Sequence, residues 1–178
     1  MNKGGFVWGF TKPCFLSGEG AVVFRKGGRY VTDIKEYTEK DRAEISLLAK
    51  TAHWEEVLEF VNHHLEAHQC DEMAKLQLDI AVEELFVNVA NYAYYPEDGM
   101  IWIQMFFKDD MVTIVFMDEG VPYNPLERED PDITLSAEER KVGGLGVYMV
   151  KMSMDHVEYA YRDNKNILTI QKKIQEDV

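Results

Sequence analysis

The spacing of apolar residues along this chain changes period several times, and each change marks an element. "AEISLLAK" (43–50) alternates apolar and polar positions and predicts a strand. "HWEEVLEFVNHHLEAHQ" (53–69) carries Trp54, Val57, Leu58, Val61 and Leu65 at spacings of three and four, which predicts an amphipathic helix. "DEMAKLQLDIAVEELFVNVANYAYY" (71–95) predicts a second, longer helix whose core stripe is Leu78, Val82, Leu85 and Val89. Asp71 or Asp79 offers acidic support near its start, and Pro96 ends it. "MIWIQMFF" and "MVTIVFMD" read as strands joined by a "KDD" turn. Residues 119–142 form a long charged loop, a length that in a compact domain usually goes with function or mobility. A glycine cluster, a helix to about Met154 and two strands, "HVEYAYR" and "ILTIQKKI" around "DNKN", complete the pattern.

The order strand, helix, helix, strand, strand, loop, helix, strand, strand predicts an α+β fold. Its helices are expected on one face of a mixed, mostly antiparallel sheet, as a two-layer sandwich. Residues 1–41 differ in being rich in glycine and aromatics, and "AVVFRKGGRYVTDI" reads as two short strands around a "KGG" turn. The chain is therefore divided into an N-terminal extension, 1–41, of unassigned role, and a domain, 42–178.

Composition narrows the function. The chain has 178 residues, 46% apolar and 29% charged, and a formal net charge of −13, which disfavours a partner that presents a phosphate backbone. No apolar run reaches the roughly 18 residues of a membrane span, and the opening "MNKGGFVWGFTKPCFLSG" lacks a signal-peptide stretch. The expectation is a cytoplasmic protein that binds neither nucleic acid nor membrane directly. Cys14 and Cys70 are too few for a disulfide framework and read as free thiols.

Three clusters could carry chemistry. On the second helix, Ile80, Glu84, Asn88 and Asn91 form a stripe beside the apolar one, with Glu84 and Asn88 one turn apart. A carboxylate can act as a general base and an amide oxygen is a hard ligand suited to magnesium; a solvated helix face is the plain alternative. Asp118 closes a strand and Gly120 follows in "MDEG", where the carboxylate could accept from an amine such as the 6-amino group of adenine, or simply shape a turn. In "KVGGLGVYMV", Gly143, Gly144 and Gly146 open a helix whose bare N–H groups would attract phosphate, or serve as a hinge. Neither G-x-x-x-x-G-K-[ST] nor G-x-G-x-x-G is present.

In order, E-x-x-x-N on a helix, D-x-G at a strand end and G-x-G opening a helix resemble the N, G1 and G2 boxes of the GHKL (Bergerat-fold) ATPases. Within that superfamily, "AVEELFVNVANYAY" and "GGLGVYMVKMSMDHVEY" are most similar to the bacterial anti-sigma-factor serine/threonine kinases, and the resemblance spans about residues 43–175. It implies Glu84 as catalytic base, Asn88 as ligand of Mg²⁺, Asp118 and Gly120 at the adenine of ATP, and Gly143, Gly144 and Gly146 at the phosphates. Residues 121–142 would be the ATP lid, and Arg140 and Lys141 at its end would be phosphate contacts or a solvated pair. Glu83 lacks the four-residue spacing to Asn88. Two departures stand out: Tyr92 replaces a frequent histidine, and Asn166-Ile167 stands where histidine kinases carry Gly-Thr.

The resemblance implies a serine/threonine protein kinase acting on an STAS-type anti-anti-sigma protein, with a sigma factor as second partner and a homodimer as a common state. The alternatives are an ATP-binding regulatory module of the same fold, a kinase acting on a non-sigma partner, and metal binding by His63, His64, His68 and Cys70. The last lacks a zincin order and is better explained as a surface helix.

Overall fold

The computed structural model describes residues 24–26, 29–31, 37–131 and 144–175. The chain divides into two compact units, Met1–Thr38 and Glu39–Val178. In the first, β1 (Phe24–Lys26) and β2 (Arg29–Val31) pair antiparallel with Phe24 opposite Val31, as the flanks of "KGG" predict.

The second unit runs β3 (Arg42–Leu48), α1 (Trp54–Ala67), α2 (Glu72–Asn88), β4 (Met100–Lys108), β5 (Met111–Asp118), α3 (Leu145–Ser153), β6 (His156–Arg162) and β7 (Lys165–Lys173). The strands form one sheet in the order β3-β4-β5-β7-β6, and every pair is antiparallel. The mixed character expected from the element order is absent from this sheet. Two hairpins account for part of that. Asp109-Asp110 and Asp163-Asn164 all adopt positive φ, the geometry of tight two-residue turns, and each returns the chain directly beside the strand it left.

Alternation along the strands sends Ile101, Ile103, Met105 and Phe107 of β4 to the face that α1, α2 and α3 cover. Ile114 and Phe116 of β5 and Leu168 and Ile170 of β7 join them. From α2 the core takes Leu78, Ala81, Val82, Leu85 and Phe86. The periodicity named three of these; Val89 is only half-buried, and Phe86 fills the space instead with no exposed surface. Full burial of such a side chain stabilises by about 1.5–3 kcal/mol. In α1, Val57, Val61 and Leu65 are buried as expected, with Phe60 rather than Leu58 as the fourth.

Helix α2 starts at Asp71, whose Oδ1 accepts the Ala74 N–H at 2.8 Å, so Asp71 rather than Asp79 is the cap. The helix does not continue as α-helix to Tyr95. After Asn88 it loosens into one π-helical turn, Val89–Ala93. The last hairpin also differs from its expected boundary: only Asp163 and Asn164 turn, and Lys165 and Asn166 belong to β7. Register then sets Asn166 opposite Asp118 on the helix-covered face.

Among the described residues no helix is long and apolar enough to cross a membrane. Cys70 is a free thiol whose pKa burial raises to about 11, and Cys14 lies outside the described residues. His68, just after α1, packs on the sheet: it stacks on Phe107 with ring centroids 3.6 Å apart, and its Nδ1 lies 2.8 Å from the His64 carbonyl.

Candidate functional site

Three chain segments meet at one end of the helical layer: the C-terminal end of α2, the loop leaving β5, and the start of α3. Why they meet follows from small residues at the crossing points. A Cβ on Gly146 would lie 1.8 Å from Glu84 Oε2, so only a glycine lets the first turn of α3 rest on that carboxylate. A Cβ on Gly120 would lie 2.3 Å from the Ala93 carbonyl oxygen, so the loop after β5 packs directly on the π turn that follows α2. The Val121 N–H donates to the same carbonyl at 2.9 Å. Tyr94 fastens this corner: its hydroxyl donates to the Met100 carbonyl and accepts the Glu119 N–H, both at 2.6 Å. Burial pushes its phenol pKa up to about 12, so it stays protonated and able to donate.

Of the adjacent glutamates of α2, Glu83 is exposed and Glu84 is the half-buried one that lies against the first turn of α3. Asn88 is the last α-helical residue of α2, one turn beyond Glu84, and is half-buried. Asn91, fourth member of the predicted polar stripe, falls in the π turn and is exposed. The wider π turn rotates it off the line set by Glu84 and Asn88. Tyr92 is also exposed.

Asp118 ends β5 with 6% of its surface exposed. Its Oδ1 accepts the Gly120 N–H at 2.9 Å and the Asn166 Nδ2–H at 2.8 Å. Burial raises its pKa above the ordinary 3.8, while Asn166, the Gly120 N–H and the charge of Lys165 pull the other way.

Gly144 caps α3 at φ 97°, a left-handed conformation that glycine adopts without strain. The N–H groups of the first turn of a helix have no acceptor within it, and the helix dipole makes that end favourable for anions. Beside Gly144 lies the exposed Arg128 guanidinium, with Nε 3.2 Å from where a Cβ would stand. Lys151 of α3 pairs with Asp130, which ties the described start of the loop to the helix. Gly143, Arg140, Lys141 and loop residues 132–142 lie outside the described residues.

The chemistry of the donors here is compatible with a hard cation such as magnesium that takes most of its ligands from elsewhere. Asn88 could offer one hard oxygen ligand from α2, with the Glu84 carboxylate one turn away, and among the described residues no group of three acidic, histidine or cysteine side chains forms an all-protein cage.

Sequence reasoning noted Asn166 only as a departure from a Gly-Thr pair, and it gave Arg128 no role. A two-residue "DN" turn with period-two counting back from Leu168 puts Asn166 on the inner face, and only the register between β5 and β7 sets it opposite Asp118. No comparable signal marks Arg128, whose place beside Gly144 is purely tertiary.

The chain is 27% identical over 96 residues to the serine-protein kinase RsbW of Listeria monocytogenes, covering 51% of this chain and 61% of that protein. It is 29% identical over 95 residues to RsbW of Bacillus cereus, covering 51% and 59%. The chain thus spans about three fifths of the length of these relatives. It is 24% identical over 131 residues to the serine/threonine-protein kinase BtrW of Bordetella bronchiseptica, covering 73% of this chain and 91% of that one. Among solved structures, the RsbU and RsbW domains of Rv1364c from Mycobacterium tuberculosis superpose with a TM-score of 0.57 at 13% identity, over 84% of this chain and 35% of that one, a likeness of fold. Residues 47–172 match the family described as histidine kinase-like ATPase domain, a stretch that takes in Glu84, Asp118 and Gly146 together, and this chain belongs to that family.

Proposed function

We propose that the protein is an ATP-dependent serine/threonine protein kinase of a partner-switching system, which phosphorylates an STAS-type anti-sigma-factor antagonist and sequesters a sigma factor. The observation that carries this reading is the Glu84 carboxylate resting on the first turn of α3 at Gly146. A general base beside an anion-attracting helix start is what transfer of a phosphoryl group to a hydroxyl needs. The family and the names of the kinase relatives support it.

In this reading Asp118 accepts a hydrogen bond from the adenine 6-amino group. Backbone N–H groups at Gly143, Gly144 and Gly146 hold the phosphates, and Arg128 adds a positive charge at the same helix end. Glu84 takes the proton of the acceptor serine or threonine hydroxyl as its oxygen attacks the γ-phosphorus; the bond to the bridging oxygen breaks and ADP leaves. Asn88, with Glu84 nearby, would hold magnesium, which when bound neutralises charge on the phosphates. The phosphorylated product carries about −1.5 to −2 charges at that residue and would be repelled by a chain of net charge −13, which releases it. A homodimer is part of the same proposal.

Calorimetry with Mg-ATP on the wild type and on Asp118→Ala tests the first step. Micromolar binding lost in the variant is expected. Phosphate transfer to candidate STAS proteins follows, with Glu84→Ala as the control for chemistry. A well-folded wild type that binds no ATP would overturn the reading.

A further inference from the structure

Asn166 is a buried amide, 7% exposed, with every strong hydrogen-bonding position in use. Its Nδ2 donates to Asp118 Oδ1 at 2.8 Å and to the Val121 carbonyl at 3.2 Å, with the Gly120 carbonyl at 3.5 Å. Its Oδ1 accepts the Tyr123 N–H at 3.1 Å and the Tyr159 hydroxyl at 2.7 Å. These partners dictate which way the amide points. Flipped, its oxygen would face a carboxylate and a carbonyl, and its NH₂ would face an N–H, so acceptors would meet acceptors and donors a donor. One side chain therefore joins β7 to the end of β5 and to the first residues of the loop that leaves it.

The consequence falls on Asp118. Both of its recorded donors, Gly120 and Asn166, converge on Oδ1, and no donor among the described residues reaches Oδ2. A carboxylate held by one oxygen from two directions cannot rotate freely, so its second oxygen is left as a fixed, pure acceptor.

We infer that Asn166 is a positioning residue of the nucleotide site, which orients Asp118 so that the site selects a purine bearing a 6-amino group over one bearing a 6-oxo group. This rests on the adenine role proposed for Asp118. A 6-amino group donates to the free oxygen, whereas a 6-oxo group brings a second acceptor against it. Without Asn166 the carboxylate loses a charge-stabilising donor as well as its fixed orientation. It can then turn, or take up a proton and donate to a 6-oxo group, so discrimination falls.

The test is the ratio of dissociation constants for inosine 5′-triphosphate and ATP, both with magnesium, in wild type, Asn166→Ala and Tyr159→Phe. The wild type is expected to prefer ATP by at least about tenfold, and Asn166→Ala to lose roughly tenfold of that preference, the worth of a hydrogen bond to a charged group. Should Asn166→Ala fail to fold, Tyr159→Phe removes only one bond that holds the amide and is expected to lower the ratio about threefold. A purely structural role would weaken both nucleotides alike and leave the ratio unchanged. A wild type that prefers ATP beside folded variants with the same ratio overturns this inference and leaves the kinase reading standing. A folded wild type that binds neither nucleotide overturns both.

Discussion

Replacing Gly120 by alanine separates two reasons for that glycine. The new Cβ would stand 2.3 Å from the Ala93 oxygen and 2.7 Å from both its carbonyl carbon and its Cβ. Favourable carbon contacts need about 3.5–4.0 Å, so the loop and the π turn would have to part by roughly 1 Å. Two of the obstructing atoms are backbone, which cannot swing aside as a side chain can. Overpacking of this kind costs about 1–3 kcal/mol. Parting the segments also breaks the 2.9 Å bond from Val121 N–H to Ala93, worth a further ~0.5–1.5 kcal/mol. The expected loss is about 2–4 kcal/mol. For a unit of roughly 140 residues that is a fall of about 7–14 °C in Tm. Urea denaturation followed by fluorescence and by far-UV circular dichroism measures it, with Mg-ATP titration of the folded variant alongside. A variant within about 0.5 kcal/mol of wild type that has lost ATP binding would refute the packing argument, because the glycine would then serve only the ligand.

Gly146→Ala meets the far end of a flexible side chain instead, the Glu84 carboxylate at 1.8 Å, so the carboxylate moves rather than the helix. Stability is expected to hold or rise by up to about 1 kcal/mol from helix propensity, while displacement of the proposed base is expected to slow ATP turnover about 100-fold, and unchanged turnover would count against Glu84 as the base. Asp118→Asn addresses burial of charge. The folded pKa of Asp118 lies above its ordinary 3.8, so the native state holds the proton more tightly than the unfolded chain does. That contribution to stability is complete below 3.8 and disappears as pH rises through the folded pKa. The amide variant should therefore be as stable as wild type or more so at pH 7, with a flatter pH dependence above 3.8, and should lose ATP binding; a large drop in Tm at pH 7 would contradict this. Arg128→Ala should weaken ATP about tenfold and adenosine hardly at all, with Tm unchanged; equal loss for both ligands would remove the arginine from the phosphates.

The elements of the domain were legible because their signals are local. Apolar and β-prone runs bounded by turn signals, "KDD" before one and "DN" after the other, named β5 and β6 to the residue. The departures lie where a local signal is silent or is overridden by another. The π turn after Asn88 leaves the apolar period nearly intact, so "VANYA" reads as more helix until its contacts with Gly120 and Val121 are seen. Asn166 was assigned to a turn because "DNKN" is polar throughout, although pairing with β5 extends β7 by two residues.

The sequence by itself determined the order of helices and strands and the one-turn spacing that sets Glu84, rather than Glu83, in line with Asn88, because residue spacing on one element is set by that element's own geometry. Only the tertiary structure decided what the site residues touch. Gly120 and Gly146 are small because a carbonyl and a carboxylate from distant segments lie against them, and Asp118 points where Asn166, 48 residues later, holds it. Such contacts join positions with no shared period, so they exist only once the sheet has set its register and the helices have closed over it.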